Sequence, residues 1–201
     1  IFYSHRPDPD TPLEETLGAL DQIVRQGKAL YAGISNYRGA LFVEAMELVK
    51  KMGWSPIVIH QPNYNMFDRW IENDLLDHTD RYGTGVIVFS PLAQGLLTSK
   101  YLDTNIPIPE NSRAADPAGY LKPDQITPEK IEKVRQLNDL AEKRGQSMAQ
   151  LAIAWTLRNN RVTSALIGAR NSQQLRDSVG ALENLEFSGE EINTIETILK
   201  A

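Results

Sequence analysis

The chain has 201 residues, with 21 Lys+Arg against 26 Asp+Glu for a formal net charge of −5, and it is 41% hydrophobic and 23% charged. That is the balance of an ordinary globular chain of about one domain, and its mild acidity argues against nucleic acid as a partner, which needs a basic face. No cysteine is present, so a disulfide framework, a thiolate metal site and a cysteine nucleophile are excluded, and no apolar run approaches the ~18 residues of a transmembrane helix.

In chain order, Ile1–His5 is aromatic and apolar and reads as a strand, as though the chain opens inside a larger unit. Thr11-Pro12-Leu13-Glu14 reads as a helix start, with Thr11 as cap, Pro12 at the first turn and Glu14 closing a capping box. Leu13, Leu17, Leu20 and Val24 follow at helical spacing, and Gly27 marks the stop. Leu30–Ile34 is the second strand. Ala40–Met52 is the second helix, ended by Gly53. Pro56–His60 is the third strand, and the helix expected over Trp70–Tyr82 carries Leu75 and Leu76 on its apolar side. Gly85–Phe89 is an almost wholly apolar fourth strand.

The rhythm then breaks. Residues 93–128 hold Pro107, Pro109, Pro117, Pro123 and Pro128 without clear periodicity, the mark of a functional or disordered loop. A helix starts at Pro128 with Ile131, Val134, Leu137 and Ala141 on one face, and Ser147–Gln150 opens another as a capping box. Val162–Ile167 is the fifth strand. Asn171 caps a helix to about Leu182, and Ser188–Glu191 caps the last one. Apolar strands alternating with helices indicate an α/β chain with a parallel sheet covered on both sides. No linker separates two domains, so residues 1–201 are expected to form one.

The groups that follow the strands are His5, Ser35-Asn36, Gln61, Ser90-Pro91-Leu92 and Gly168-x-Arg170. Ligands of parallel α/β proteins sit at the carboxyl ends of strands. His5 there could be a general acid, a carbonyl polariser or a core histidine with its bonds satisfied. His60 and Gln61 are consecutive, so one of them points away from the site, and spacing alone leaves open which. Arg170 precedes a capped helix, an arrangement that suits a phosphate as well as it suits a solvated loop arginine. Lys100 and Arg113 flank the long loop and could close over an anion. Neither G-x-G-x-x-G after a strand nor G-x-x-x-x-G-K-[ST] occurs, so a Rossmann site and a P-loop are unsupported. His5, His60 and His78 are too scattered for a metal motif.

The segments Ser4-His5-Arg6-Pro7-Asp8-Pro9-Asp10-Thr11-Pro12-Leu13-Glu14-Glu15-Thr16, Ser35-Asn36, Gln61-Pro62-Asn63-Tyr64-Asn65, Ser90-Pro91-Leu92-Ala93-Gln94-Gly95 and Ile167-Gly168-Ala169-Arg170-Asn171 together resemble the aldo-keto reductase superfamily. The pattern is nearest to its branch of bacterial L-glyceraldehyde 3-phosphate reductases and potassium-channel β subunits. The resemblance covers the whole chain and implies a (β/α)₈ TIM barrel, of which these residues supply strands four to eight. It implies NADPH as cofactor, bound without a Rossmann fold.

Residue by residue, His5 resembles the catalytic histidine that hydrogen-bonds the substrate carbonyl. Ser35, Asn36 and Gln61 match the groups around the nicotinamide carboxamide. Ser90, Pro91, Leu92, Gln94 and Lys100 match the pyrophosphate segment, with Arg113 beyond it. Gly168, Arg170, Gln174, Asp177 and Ser178 match the segment around the adenosine and its 2′-phosphate. The family's Asp, Tyr and Lys belong to earlier strands, and five strands do not close an eight-stranded barrel. The implied activity is reduction of small aldehydes, with nucleotide sensing without turnover as the alternative. Channel subunits generally carry Asn where this chain has His5, which favours the reductase. A small aldehyde and further copies of the chain are the expected partners, with no membrane and a cytoplasmic location. Arg6, Arg38 and Arg69 flank the site segments, and nothing in the sequence ranks them as contacts for a substrate phosphate.

Overall fold

The computed structural model describes residues 1–103, 108–110 and 112–201; Pro107 of the proline-rich stretch lies outside them. Five strands occur in chain order across one sheet: β1 (Phe2–Ser4), β2 (Ala32–Ser35), β3 (Ile57–Gln61), β4 (Gly85–Phe89) and β5 (Ser164–Leu166). The pairs β1–β2, β2–β3 and β3–β4 are parallel, and β5 follows β4, approached by a Thr163 N–H that donates to the Val86 carbonyl at 2.8 Å. Helices α1 (Leu13–Arg25), α2 (Gly39–Met52) and α3 (Leu75–Tyr82) alternate with the first four strands. Helices α4 (Pro128–Lys143) and α5 (Met148–Leu157) precede β5, and α6 (Ser172–Gly180) and α7 (Gly189–Lys200) follow it. This is the expected βα order, that of strands four to eight of a (β/α)₈ barrel. No helix among the described residues is long and apolar enough to cross a membrane.

The chain packs into two compact units. The first comprises Ile1–Tyr64, Asp68–Phe89 and Asn160–Ala165. Its core joins Ile34, Ile57, Val86 and Val88 of the sheet to Leu17, Phe42, Ala45 and Leu75 of the helices, all at most 3% exposed. β2 is buried along its whole length, whereas Phe2 of β1 is 49% exposed. The expectation of a sheet covered on both sides therefore holds for β2, while β3 and β4 mix buried and half-buried positions and the outer strands β1 and β5 hold exposed and half-buried ones. Asp21 of α1 is a buried carboxylate that ties the helix to the segment before β3. It accepts from the Ser55 amide at 2.7 Å, the Ser55 hydroxyl at 2.9 Å and Arg25 Nε at 2.6 Å. Burial pushes its pKa up, and these donors outweigh burial and hold it below the ordinary carboxylate value.

Two local expectations fail here for stated reasons. Thr11 does not cap α1: its hydroxyl donates to Asp8 Oδ2 at 2.9 Å within the Asp8–Thr11 turn, and Pro12 stands at the cap position with no side-chain cap bond. The helix expected over Trp70–Tyr82 is broken into a 3₁₀ turn, Trp70–Glu72, and α3. The break falls at Asp74, whose backbone at φ −154° and ψ −30° is neither helical nor extended and whose carboxylate packs on Gly39, where a Cβ would lie 2.1 Å from Oδ2. Tyr64 and Arg69 hold the preceding turn through Glu72, at 2.5 and 2.7 Å.

The second unit comprises Asn65–Phe67, Ser90–Asn159 and Leu166–Ala201. Helix α5 is its centre, buried on nearly every side from Met148 to Thr156. On α4 the four residues picked by periodicity, Ile131, Val134, Leu137 and Ala141, are the four that are buried. Each full-size aliphatic side chain of that set contributes roughly 1.5–3 kcal/mol through burial. The capping boxes at Ser147/Gln150 and Ser188/Glu191 form as expected, and Asn171 caps α6. Arg144, just past α4, has a side chain only 4% exposed and pairs with Glu191 at 2.7 Å. It also reaches the Asn184 and Glu186 carbonyls and stacks on Phe187 at 4.0 Å. The long stretch after β4 is not a plain loop. It makes 3₁₀ turns at Ala93–Gly95, Ser99–Tyr101 and Pro123–Gln125. Leu96, Tyr101, Ala114 and Leu121 form a small core with Ile131.

Candidate functional site

In the first unit, the register across β1, β2 and β3 decides which side chains share a face. Tyr3 pairs with Gly33, Gly33 with Ile59, and Ser35 with Gln61. Side chains alternate along a strand, so Tyr3, Gly33, Ser35, Ile59 and Gln61 belong to one face, and His5 continues the β1 alternation just past the strand. His60 belongs to the other face. This arrangement depends on a bulge: Ala32 pairs with Ile57 but Gly33 pairs with Ile59, so Val58 is an extra residue on β3. Without it His60, not Gln61, would stand beside Ser35. The ambiguity left by the His60-Gln61 spacing is resolved by that one residue.

His60 is fully buried, with its ring edge-on to Phe42 at 5.7 Å and Nε2 2.9 Å from the Tyr37 carbonyl. Burial lowers its pKa to about 4, against a smaller upward effect of the Tyr37 bond, so at neutral pH the ring is uncharged and Nε2–H donates. That bond anchors the turn Ser35-Asn36-Tyr37. The Ser35 hydroxyl donates to the Gln61 carbonyl at 2.6 Å and accepts from Asn36 Nδ2 at 3.1 Å. Asn36 Oδ1 accepts from the Asn63 amide at 3.2 Å. Asn36 sits in the left-handed region at φ 59°, a conformation that Asn tolerates better than most residues. The Tyr37 hydroxyl meets the Ser4 hydroxyl at 2.9 Å, which ties the turn to the end of β1. His5 is exposed immediately beyond.

Of the three arginines near these segments, Arg69 is engaged with Glu72, and Arg38 lies over the Trp70 ring at 4.9 Å. Arg6 is exposed beside His5.

In the second unit, Ser90 begins a turn of unusual backbone. Ser90, Ala93 and Gln94 have φ of 56°, 46° and 60°, and Gly95 follows at 99°. Such a run of left-handed residues is costly and persists when surrounding bonds fix it. Here the Ser90 carbonyl accepts from the Ala93 amide at 2.9 Å and from Asn65 Nδ2 at 3.1 Å. The Leu92 carbonyl accepts from the Gly95 and Leu97 amides. Pro91 is buried beneath, and Leu92 is half-buried. A chain of side chains crosses the turn: Arg113 NH1 donates to Gln94 Oε1 at 2.7 Å, and Gln94 Nε2 donates to the Ser90 hydroxyl at 2.6 Å. The Arg113 guanidinium also lies 4.0 Å from where a Cβ on Gly168 would stand. The structure thus brings Ser90, Gln94, Arg113 and Gly168 together. Lys100 is exposed on the 3₁₀ turn capped by Thr98.

At the start of α6 the Arg170 amide donates to Gln174 Oε1 at 2.9 Å, and the Gln174 amide donates to Asn171 Oδ1 at 2.9 Å. Arg170 and Gln174 are exposed there. Asp177 and Ser178 follow one turn further along α6. Asp177 accepts from the Ser147 hydroxyl at 3.2 Å and, through its carbonyl, from Gln150 Nε2 at 3.0 Å, so it fastens α6 to the start of α5. Ser178 is 9% exposed. Among the described residues no group of three or more metal-ligating side chains exists.

Sequence reading did not single out Tyr3, Gly33, Tyr37 or Asn65. Tyr3 had a signal, since it lies two residues before His5 on the same face. Asn65 lies in the quoted segment 61–65 without a role assigned to it, and Tyr37 had no signal, because its contacts are with residues distant in the chain.

Comparison with known proteins adds independent findings. The family model described as "Aldo/keto reductase family" matches residues 1–200. "L-glyceraldehyde 3-phosphate reductase" of Escherichia coli strain K12 is 47% identical over 201 residues, which cover 98% of this chain and 57% of the relative. "Putative voltage-gated potassium channel subunit beta" of Schizosaccharomyces pombe is 37% identical over 99% of this chain and 58% of its own length. "Probable voltage-gated potassium channel subunit beta" of Oryza sativa subsp. japonica is 33% identical over the full chain and 62% of its own length. The chain therefore spans roughly three fifths of the length of these curated relatives.

Proposed function

The chain belongs to the aldo/keto reductase family, and from that premise we propose that it serves NADPH-dependent reduction of small aldehydes, with L-glyceraldehyde 3-phosphate and methylglyoxal-like compounds as the substrate class. The observation that carries this reading is the register of β2 and β3, which pairs Ser35 with Gln61, with His5 just past the end of the neighbouring β1. The 47% identity to a protein named for that activity supports the substrate class. We read residues 1–201 as one aldo-keto-reductase-like domain, supported by a single family match over residues 1–200, and we infer a cytoplasmic homo-oligomer that engages neither nucleic acid nor membrane.

The donor set fits the cofactor. Ser35, Asn36 and Gln61 offer a hydroxyl and two primary amides, the complement of a carboxamide. Ser90, Pro91, Leu92, Gln94, Lys100 and Arg113 offer a strained turn and two cations to phosphates, and Gly168, Arg170 and Gln174 stand at a helix start suited to a further phosphate. Asp177 and Ser178, one turn further along α6, complete the adenosine segment in this proposal, with Asp177 also bonded to Ser147. When bound, NADPH supplies a hydride to the carbonyl carbon. His5 would donate a hydrogen bond to the carbonyl oxygen as negative charge develops there, and the proton that completes the alcohol would come from the tyrosine that the family resemblance assigns to an earlier strand. Ser35, Asn36 and Gln61 orient the nicotinamide so that only one geometry is presented, a positioning effect.

The test follows NADPH absorbance in the full-length protein with glyceraldehyde 3-phosphate, then methylglyoxal. Consumption is expected, and His5→Asn is expected to lower turnover well below wild type while sparing NADPH binding. Tight NADPH binding with no turnover on any aldehyde would instead favour a nucleotide-sensing subunit, the alternative reading, and the 37% and 33% relatives are named as channel subunits. Arg170→Ala is expected to weaken NADPH more than NADH; equal losses would remove Arg170 from the 2′-phosphate.

A further inference from the structure

The pairing of β1 with β2 ends where Ser4 meets Ile34, so His5 stands just past the ladder, with its side chain exposed. Whatever orients it acts through its neighbours. Ser4 belongs to the opposite face from Tyr3 and His5, the face of Ile34 and His60. There its hydroxyl meets the Tyr37 hydroxyl at 2.9 Å. Tyr37 is 1% exposed, and its carbonyl is 2.9 Å from Nε2 of the buried His60. The residue is therefore held at its backbone and at its ring tip. Burial raises the phenol's pKa against a smaller lowering effect of the Ser4 bond, so it is protonated at neutral pH. The Ser4 hydroxyl also reaches the Arg6 carbonyl in a longer contact of 3.4 Å, in which only the serine can donate. With its single proton so directed, Ser4 accepts from the Tyr37 phenol. These two contacts bracket His5 from the side of the strand away from the ligand groups.

We propose that Tyr37 and Ser4 are positioning residues for His5: the bond between their hydroxyls pins the end of β1 from behind, so that the imidazole is presented to the substrate. The inference rests on the proposed reading of His5 as the group that bonds the substrate carbonyl. Past the last ladder pair, no partner strand fixes the backbone torsions. A hydrogen bond needs its donor within about 3 Å of the acceptor and close to alignment, so a small swing at Ser4 carries the ring out of reach. Tying Ser4 to a buried phenol removes that freedom before any substrate binds. Neither Tyr37 nor Ser4 touches a reacting atom in this scheme; both act through His5.

The test measures kcat on glyceraldehyde 3-phosphate and, by calorimetric titration, NADPH affinity in the full-length protein. Tyr37→Phe keeps the buried ring and removes only the hydroxyl. Ser4→Ala removes the other half of the bond. Each is expected to lower kcat about tenfold while NADPH affinity changes by less than about twofold. In a His5→Ala background the same substitutions are expected to cost less than about twofold, because the group they position is gone. A merely structural role would lower kcat equally in both backgrounds. If Tyr37→Phe fails to fold, Ser4→Ala decides; if His5→Ala turns over too slowly to read, the split between kcat and NADPH affinity decides. Unchanged kcat, equal losses of kcat and NADPH affinity, or equal losses with and without His5 overturn the positioning role while leaving the reductase reading intact. A wild type that turns over no aldehyde, or a His5→Ala variant as active as wild type, overturns that reading and the proposal with it.

Discussion

The two turns that carry most of the candidate ligand groups are held in opposite ways. The Ser35-Asn36-Tyr37 turn of the first unit is fixed from below by a fully buried histidine and from both sides by β1 and β3. The Ser90–Gly95 turn of the second unit carries more left-handed residues, yet its side-chain links run through an exposed arginine. The first turn is set before any ligand arrives. The second ties Gln94 to Arg113 by one N–H of an exposed guanidinium, whose remaining donors face solvent-accessible space. A buried network makes a rigid receptor for a neutral amide, and an exposed one makes an adaptable receptor for a strongly charged group.

The largest effect should come from the support of the first turn. His60→Ala removes a ring packed on Phe42 and the bond to the Tyr37 carbonyl. It is expected to cost about 3 kcal/mol in urea unfolding. A loss under about 1 kcal/mol would mean that the turn does not depend on His60.

The same residue gives the turn a pH dependence. Its folded pKa of about 4 lies below the ordinary histidine value, so between the two the unfolded chain binds more protons and stability rises with pH. Full stability is expected above about pH 6.5, with a decline toward pH 4 that reaches on the order of 3 kcal/mol. His60→Gln should flatten the decline in that window. Asp21 acts separately: its lowered pKa gives stability that is present above the ordinary carboxylate value and is lost as pH falls through the folded one. Asp21→Asn should therefore lower stability at neutral pH and flatten the decline below the ordinary carboxylate value.

A pair of glycine substitutions sharpens the contrast between the turns. Asn36→Gly relieves a positive φ but removes the bonds to Ser35 and Asn63. A net loss of about 1 kcal/mol is expected. Ala93→Gly relieves a similar φ at the cost of one half-buried methyl, so the two terms should cancel to within about 0.5 kcal/mol. If the two variants melt alike, backbone strain and not side-chain bonding dominates both turns.

The smallest effect belongs to Arg113→Ala. The side chain is exposed, so stability should stay within about 0.5 kcal/mol of wild type. Under the proposed reading, NADPH and adenosine 2′,5′-bisphosphate should both bind more weakly, and more so at low salt. Unaltered binding of both would remove Arg113 from the phosphate contacts.

How much of this was legible in the sequence differs by residue. The buried stripe of α4, the boxes at Ser147 and Ser188 and the bounds of β4 follow from periodicity and capping, which involve neighbours within about four residues. The segments around His5, Ser35, Gln61, Ser90 and Arg170 were recognisable as motifs. Thr11 misled, because a nearer acceptor on Asp8 took its hydroxyl. Asp177 and Ser178 were assigned to the cofactor by resemblance, and the bond from Ser147 to Asp177 could not be seen without the packing of α6 on α5.

The sequence by itself determined the βα order, the capped starts of α5, α6 and α7 and the chemical types available at the strand ends, because those depend on local spacing and short-range bonds. Only the tertiary structure decided that Val58 bulges out of β3, that Gln61 therefore stands beside Ser35 while His60 is buried, and that Tyr37 reaches Ser4. Register and burial are set by hydrogen bonds and contacts between strands some thirty residues apart in the chain, and no local pattern encodes them.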